Sequence, residues 1–202
     1  MREPAGGSGV SASLARACAS PERPIDPDIM EIVISERQIQ DKIRELAAQI
    51  DADHAGHEVV LVAVLKGAIM VMADLSRALR VPVSLEFMAV SSYGAATSSS
   101  GVVRINKDLD RDITGKHVVV VEDIIDSGLT LSWLVRNLSA RGPASIDVCA
   151  LLRKPEAAKV NVPLRYVGFE LGPEFVVGYG LDYAERYRQL PYIGLLDPSV
   201  YT

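Results

Sequence analysis

Aromatic residues make up only 5% of these 202 positions, yet a hydrophobic content of 49% is enough to bury one sizeable core, and one domain is expected. Basic residues are also in deficit. The 21 Lys and Arg are outnumbered by 26 Asp and Glu, and a formal charge of −5 lacks the concentrated positive field of non-specific nucleic-acid binding. The partner is expected to be a small molecule. Only two cysteines occur, Cys18 and Cys149, far apart and in no metal or redox spacing, so a disulfide scaffold is excluded and a reducing cytoplasmic location is implied. No apolar run approaches the roughly 18 to 20 residues of a membrane span. The first ~28 residues, rich in Ala, Gly, Ser and Pro, show no periodicity and read as a disordered extension over 1–28. Ala17-Cys18-Ala19 mimics a signal-cleavage site, but serines interrupt the stretch before it, so secretion is not expected.

Regular structure should begin near Ile29 with a short strand through MEIVI, followed by Ser35-Glu36-Arg37-Gln38, which has the spacing of a capping box. Ile39, Ile43, Leu46 and Ile50 then recur at helical spacing until Gly56. Val59 to Leu65 is a continuously apolar strand, Lys66-Gly67 a turn, and about Ala68 to Leu79 a helix. The design repeats in VVVVEDIIDSGLTL: a strand from His117 to Glu122, a turn through Asp126-Ser127-Gly128, and a helix with Leu131, Leu134, Val135 and Leu138 on one face, stopped by Gly142-Pro143. Further strands are expected at Ser84 to Val90, Val102 to Ile105, Asp147 to Leu152 and Arg165 to Phe169. Strands apolar on both faces and alternating with helices imply a mostly parallel sheet covered by helices, with ligands at the carboxyl ends of strands. Ser91 to Gly101 reads as a loop, either a plain surface connection or a lid beside those ends.

Three carboxylates, a serine, a glycine and a threonine follow four valines with no core role to explain them. Glycine-rich phosphate loops present backbone N–H groups to an anion, often at a helix N-terminus where the dipole helps. Asp126-Ser127-Gly128-Leu129-Thr130 fits that chemistry, whereas GxxxxGK[ST] is absent, so a nucleoside triphosphate is not indicated. Glu122 and Asp123 are acceptor-only groups suited to sugar hydroxyls or to a magnesium ion carried by a phosphorylated ligand. Taken alone, such a pair also suits a solvated strand end.

VVVVEDIIDSGLTL resembles the phosphoribosyl diphosphate loop of type I phosphoribosyltransferases, in the form found in the hypoxanthine-guanine branch. Leu65-Lys66-Gly67, Ser91-Ser92-Tyr93-Gly94, Leu152-Arg153-Lys154-Pro155 and VGFELGPEFVVGYGLDYAERYRQLPYIG resemble that family in the same order, over roughly Glu31 to Leu196. The resemblance implies an α/β fold with a central, mostly parallel sheet flanked by helices. It further implies a single phosphoribosyltransferase domain over 29–202 with a small hood from about 153–202. Its implied substrates are 5-phosphoribosyl 1-diphosphate and a 6-oxopurine base, with Mg2+ as cofactor.

Carried over by position, the resemblance places Glu122 and Asp123 on the ribose hydroxyls with magnesium nearby, and Asp126 as the acid/base residue beside the purine. Ser127, Gly128 and Thr130 would grip the 5′-phosphate, with Ile125 and Leu129 also counted as substrate-binding, although Leu129 stands where some relatives carry a charge. Lys66 and Gly67 would meet pyrophosphate, with an unusual cis peptide between them, and Ser92 and Tyr93 would belong to the loop over it. Lys154 would donate to the purine 6-oxo group; on its own it reads as a solvent-facing lysine. Phe175 would stack on the base, Val176 offer it backbone groups, Asp182 bind a second magnesium, and Arg188 meet pyrophosphate. His54, His57 and His117 show no partner pattern and read as structural or surface residues. A regulator that binds phosphoribosyl diphosphate without catalysis, and a sister enzyme for xanthine or a pyrimidine, are the rival readings. Assembly as a homo-oligomer, dimer or tetramer, is expected without a readable interface.

Overall fold

The computed structural model describes residues 25–93 and 102–201. Of the expected extension, residues 1–24 lie outside the described part. Residues 25–28 are already fastened, because Asp26 N–H donates to the Tyr192 hydroxyl (3.1 Å) and Asp28 Oδ2 accepts from the Tyr187 hydroxyl (2.6 Å). Among the described residues no helix is long and apolar enough to cross a membrane.

The helix α1 (Glu36–Asp53) starts where the capping box places it: Ser35 N–H donates to Gln38 Oε1 (2.9 Å) while Ser35 Oγ accepts from Gln38 N–H (3.3 Å). Its buried face is Ile39, Ile43, Leu46, Ala47 and Ile50. That stripe packs against the same cluster as the odd-numbered side of β2 (Val59–Leu65) and the buried Val71, Met72 and Leu75 of α2 (Ile69–Ala78). The other face of the sheet is closed by Leu131, Leu134 and Leu138 of α3 (Leu129–Ser139), packed on Val118 and Val120 of β5 (His117–Ile125). Burying both faces is why these strands read as unbroken valine runs.

Six strands form the main sheet, in the order β4-β3-β2-β5-β6-β7, with β3 (Val83–Tyr93), β6 (Ser145–Arg153) and β7 (Tyr166–Glu170) parallel to their neighbours and β4 (Val102–Lys107) antiparallel at the edge. The expected mostly parallel sheet is thus present. Strand β3 extends through Ser91, Ser92 and Tyr93, which pair with Arg104, Val103 and Val102, so only residues 94–101 of the expected loop fall outside the described part. Strand β5 likewise continues to Ile125, three residues past its expected end, because Glu122, Ile124 and Ile125 pair with Ala150, Leu152 and Arg153 of β6.

A second, antiparallel sheet has the order β1-β9-β8, from β1 (Ile29–Ile34), β9 (Ile193–Leu196) and β8 (Val176–Val177). Two of its strands come from the expected hood segment. The third, β1, comes from the opposite end of the sequence and pairs along β9 from Ile29↔Leu196 to Ile34↔Ile193.

The histidines, read as partnerless, meet at the amino end of the sheet. His54 is buried, its Nε2 3.6 Å from Asp147 Oδ2 and 3.5 Å from the Tyr166 hydroxyl, and the ring of His117 lies 5.6 Å from His54 and 4.5 Å from His57. Burial pushes the His54 imidazole below its ordinary value, with Asp147 opposing. A folded pKa below the unfolded one means that the unfolded chain takes the proton first, so stability is lost as pH falls below about 6.5. Acidification from pH 7.5 to 5.5 should therefore cost the parent more melting temperature than it costs His54→Asn. Equal losses in parallel melts would remove His54 from the effect.

Candidate active site

The carboxyl ends of β2, β5 and β6 deliver Lys66 and Gly67, the Glu122 to Thr130 loop and Lys154, and the segment around β8 adds Phe175, Val176 and Asp182. Glu122 and Asp123 are half-buried on β5; Asp126 is exposed just beyond it; Ser127 and Gly128 form the turn, and Leu129 and Thr130 open α3. Gly128 is left-handed at φ 75°, a conformation that costs a side-chain-bearing residue energy, and its carbonyl accepts from Ser132 N–H (2.8 Å) as the helix begins. The result is a helix N-terminus flanked by the hydroxyls of Ser127 and Thr130, where the first N–H, of Leu129, makes only a long hydrogen bond to Ser127 Oγ (3.5 Å). Such a terminus is a ready anion site.

Three cavities meet at Asp126; one runs from it along Arg153, Lys154 and the Ala158 to Val162 segment, and the other two are ringed by the candidate residues. Of those two, the first, of about 190 Å³, is lined by Glu122, Asp126, Ser127, Gly128 and Thr130; the second, of about 340 Å³, by Asp123, Asp126, Lys154, Phe175, Val176 and Asp182. Ile124 lines both. The first sits at the helix N-terminus, with carboxylates and hydroxyls on one side and Val64, Ile125 and Leu131 on the other. The second has an ammonium at one end, since Lys154 Nζ donates to the Glu174 carbonyl (2.7 Å) and so is fixed in place, and an aromatic ring, Phe175, on its wall. A phosphorylated sugar suits the first cavity and a flat heterocycle with an acceptor edge suits the second.

Both strand carboxylates are electrostatically uncomfortable. Burial, and then the neighbouring Asp123, hold Glu122 well above the usual carboxylate range, and burial also raises Asp123 despite the opposing pull of Arg188. Such groups gain from a ligand that brings hydroxyl donors or a cation. The remaining thiol offers no rival chemistry: burial of Cys149 pushes it up to about 12.

Lys66 and Gly67 follow β2. The cis peptide is Leu65–Lys66, one bond earlier than the resemblance implies. Gly67 is hemmed in on both sides: a Cβ there would overlap Asp123 Oδ2, and a Cβ on Gly180, which is left-handed at φ 101°, would overlap the Gly67 carbonyl. The turn and the hood therefore touch backbone to backbone. Above them, Lys66 Nζ pairs with Glu185 Oε2 (2.9 Å), while Arg188 Nη2 reaches Asp182 Oδ1 (2.7 Å) and Glu185 Oε1 (3.4 Å) and its Nη1 donates to the Gly180 carbonyl (2.7 Å). Asp182 also accepts from Glu185 N–H (2.9 Å).

Lys66, Arg188 and Asp182 thus come together through Glu185, a residue that sequence reasoning missed. Its signal was hidden by the 119 positions separating it from Lys66. Ser92 and Tyr93 are placed by their backbones at the end of β3. Val176 is buried, paired with Leu195 of β9, beside the cavity it lines. Ile125 is buried and lines the first cavity.

The phosphoribosyl transferase domain profile matches residues 33–184. The chain is 58% identical over 180 residues to the hypoxanthine-guanine phosphoribosyltransferase of Mycobacterium bovis, covering 86% of this chain and 89% of that one. It is 49% identical over 174 residues to the Bacillus subtilis protein of the same name, with 86% and 97% covered. A crystal structure of a hypoxanthine phosphoribosyltransferase from Staphylococcus aureus superposes with a TM-score of 0.85 at 44% identity, covering 87% of this chain and 95% of that one. With a strand-end acidic loop, a helix N-terminus and a hooded second cavity arranged as described, the chain belongs to the type I phosphoribosyltransferase family.

Proposed function

We propose that the two joined cavities transfer the 5-phosphoribosyl group from 5-phosphoribosyl 1-diphosphate to hypoxanthine or guanine, giving IMP or GMP and pyrophosphate, a step of purine salvage. The observation that carries this reading is the meeting of the cavities at Asp126, with an anion-binding helix start on one side and the Lys154–Phe175 compartment on the other. The bond from the anomeric carbon to pyrophosphate breaks as the bond to the base nitrogen forms, and positive charge develops on the sugar.

The phosphate end is held by the N–H groups of the Ser127 to Thr130 turn, while Glu122 and Asp123 accept from the ribose hydroxyls and fix the ring for attack. Asp126, at the junction, accepts the proton that the purine gives up or holds the base by a hydrogen bond. Lys154 has donors and no acceptor, so it satisfies a 6-oxo group and leaves an exocyclic amine unpaired. Phe175 stacks on the base, and Val176 offers backbone groups to its edge.

Enzymes of this family work with a divalent metal, and we take it to be magnesium. Glu122, Asp123 and Asp182 fit a hard cation in kind, being carboxylates, the first two raised by burial. Among the described residues no group of three or more His, Cys, Asp or Glu is arranged to hold a metal unaided, so the diphosphate would supply further oxygens. Bound there, the metal would neutralise charge on the leaving group. Lys66 and Arg188 would meet the same diphosphate, which must draw them from Glu185. We further propose a single domain over 29–202, a cytoplasmic location, and a homo-oligomer with no nucleic-acid partner.

The test is product formation from phosphoribosyl diphosphate and magnesium with hypoxanthine, guanine, xanthine, adenine and uracil supplied separately. Conversion of hypoxanthine and guanine with adenine and uracil inert is expected. Binding of phosphoribosyl diphosphate with no base converted would instead indicate a non-catalytic binder.

A further inference from the structure

Phe175 is 39% exposed, yet two other rings brace it. Tyr201 lies 5.1 Å from it between centroids at an interplanar angle of 42°, Tyr183 lies 5.9 Å away at 89°, and the two tyrosines are 6.1 Å apart at 61°. Phe175 lines the larger cavity and neither tyrosine does. The ring therefore has one side toward the candidate base compartment and its supports elsewhere.

The chain builds this brace deliberately through β9. Leu196 N–H donates to the Phe175 carbonyl (3.2 Å), Asp197 N–H to the Asp28 carbonyl (2.9 Å), and Asp197 Oδ1 accepts from Ser199 N–H (2.8 Å). A 3₁₀ turn over Pro198–Val200 follows, closed by Tyr201 N–H on the Pro198 carbonyl (3.1 Å), and Val200 packs onto the cluster formed by Ile29, Tyr187 and Leu196. A turn capped by a side chain and anchored in a core cannot easily release its ring. The Tyr201 hydroxyl has no hydrogen-bond partner among the described residues, so the aromatic ring is what it contributes.

We propose that Tyr201 is a positioning residue for purine binding: it holds Phe175 in the orientation that stacks on the base, so that ordering the ring is not charged to the binding step. The proposal rests on the reading of the Phe175 compartment as the base site. An exposed phenylalanine without neighbours would lose rotamer freedom on stacking, and that loss would weaken affinity. Since Tyr201 lines neither the cavity at the helix N-terminus nor the one that holds Phe175, its effect reaches the base only through the Phe175 ring and not phosphoribosyl diphosphate.

The experiment measures KM for hypoxanthine and, separately, for phosphoribosyl diphosphate in the parent, Tyr201→Ala, Tyr201→Leu, Tyr201→Phe and Phe175→Leu. Loss of one aromatic pair corresponds to a rise in hypoxanthine KM of about 2- to 10-fold in Tyr201→Ala, with phosphoribosyl diphosphate KM unmoved. Tyr201→Leu, which keeps apolar bulk and so protects the fold, should show the same split, and Tyr201→Phe should restore the parent value. Parent-like hypoxanthine KM in both Tyr201→Ala and Tyr201→Leu, alongside a raised value in Phe175→Leu, would overturn the proposal and leave the base site standing. Equal rises in both KM values would also overturn it, since they would mark general damage to the hood. An unchanged hypoxanthine KM in Phe175→Leu would overturn the base-site reading itself, and this proposal with it.

Discussion

Asp126→Asn should lower turnover by about 10²- to 10⁴-fold, the range typical of a lost general acid–base group, while the fold survives. Survival is expected because Asp126 is exposed and its carboxylate makes no hydrogen bond or ion pair among the described residues, so nothing structural depends on its charge. The loss is expected because it is the one titratable side chain shared by the sugar-phosphate cavity and the base cavity. The amide retains hydrogen-bonding capacity but cannot accept a proton from the purine. The two roles considered for Asp126 therefore separate: a large fall in kcat with an unchanged melting temperature assigns proton transfer, and near-normal turnover removes Asp126 from the chemistry.

Changing Lys154 to glutamine should compress the preference for hypoxanthine over adenine. A hydrogen bond to a charged group contributes roughly 1.5 to 3 kcal/mol, which corresponds to a loss of about 10- to 150-fold in kcat/KM for the 6-oxo base. Glutamine also brings a carbonyl that can accept from a 6-amino group, so adenine loses its disadvantage. The geometry makes the test clean, because the Glu174 carbonyl (2.7 Å) fixes where the ammonium sits. Comparing kcat/KM for both bases in parent and variant gives the ratio directly. If the ratio stays constant, base choice lies in another residue.

Much of this arrangement could be read from the linear sequence because its signals are local. The Ser35–Gln38 capping box, the isoleucine stripe of α1 and the two strand-turn-helix units each depend on residues a few positions apart, where hydrophobic period and cap chemistry act. The turn before α3 was legible for the same reason, since Asp126 to Thr130 are contiguous. What was not legible depends on pairing between distant segments. The length of β5 is decided by β6, the third strand of the small sheet is decided by β9, and Glu185 acquires its role only when the hood folds down over Lys66. The histidines illustrate the same limit: three isolated imidazoles in sequence become neighbours, His117 edge-on to His54 and tilted against His57, with Asp147 beside His54.

The backbone contact between Gly67 and Gly180 has a bearing on how this sequence can drift. A side chain at Gly180 would displace the main chain of Gly67, which no neighbouring substitution can move aside, and one at Gly67 would displace the Asp123 carboxylate, so it would require that residue to change too. Residues around the rim of the base compartment are free to vary one at a time, and substrate preference can wander with them. The join between the leaving-group turn and the hood has no such intermediate steps, and its history would be one of long stasis.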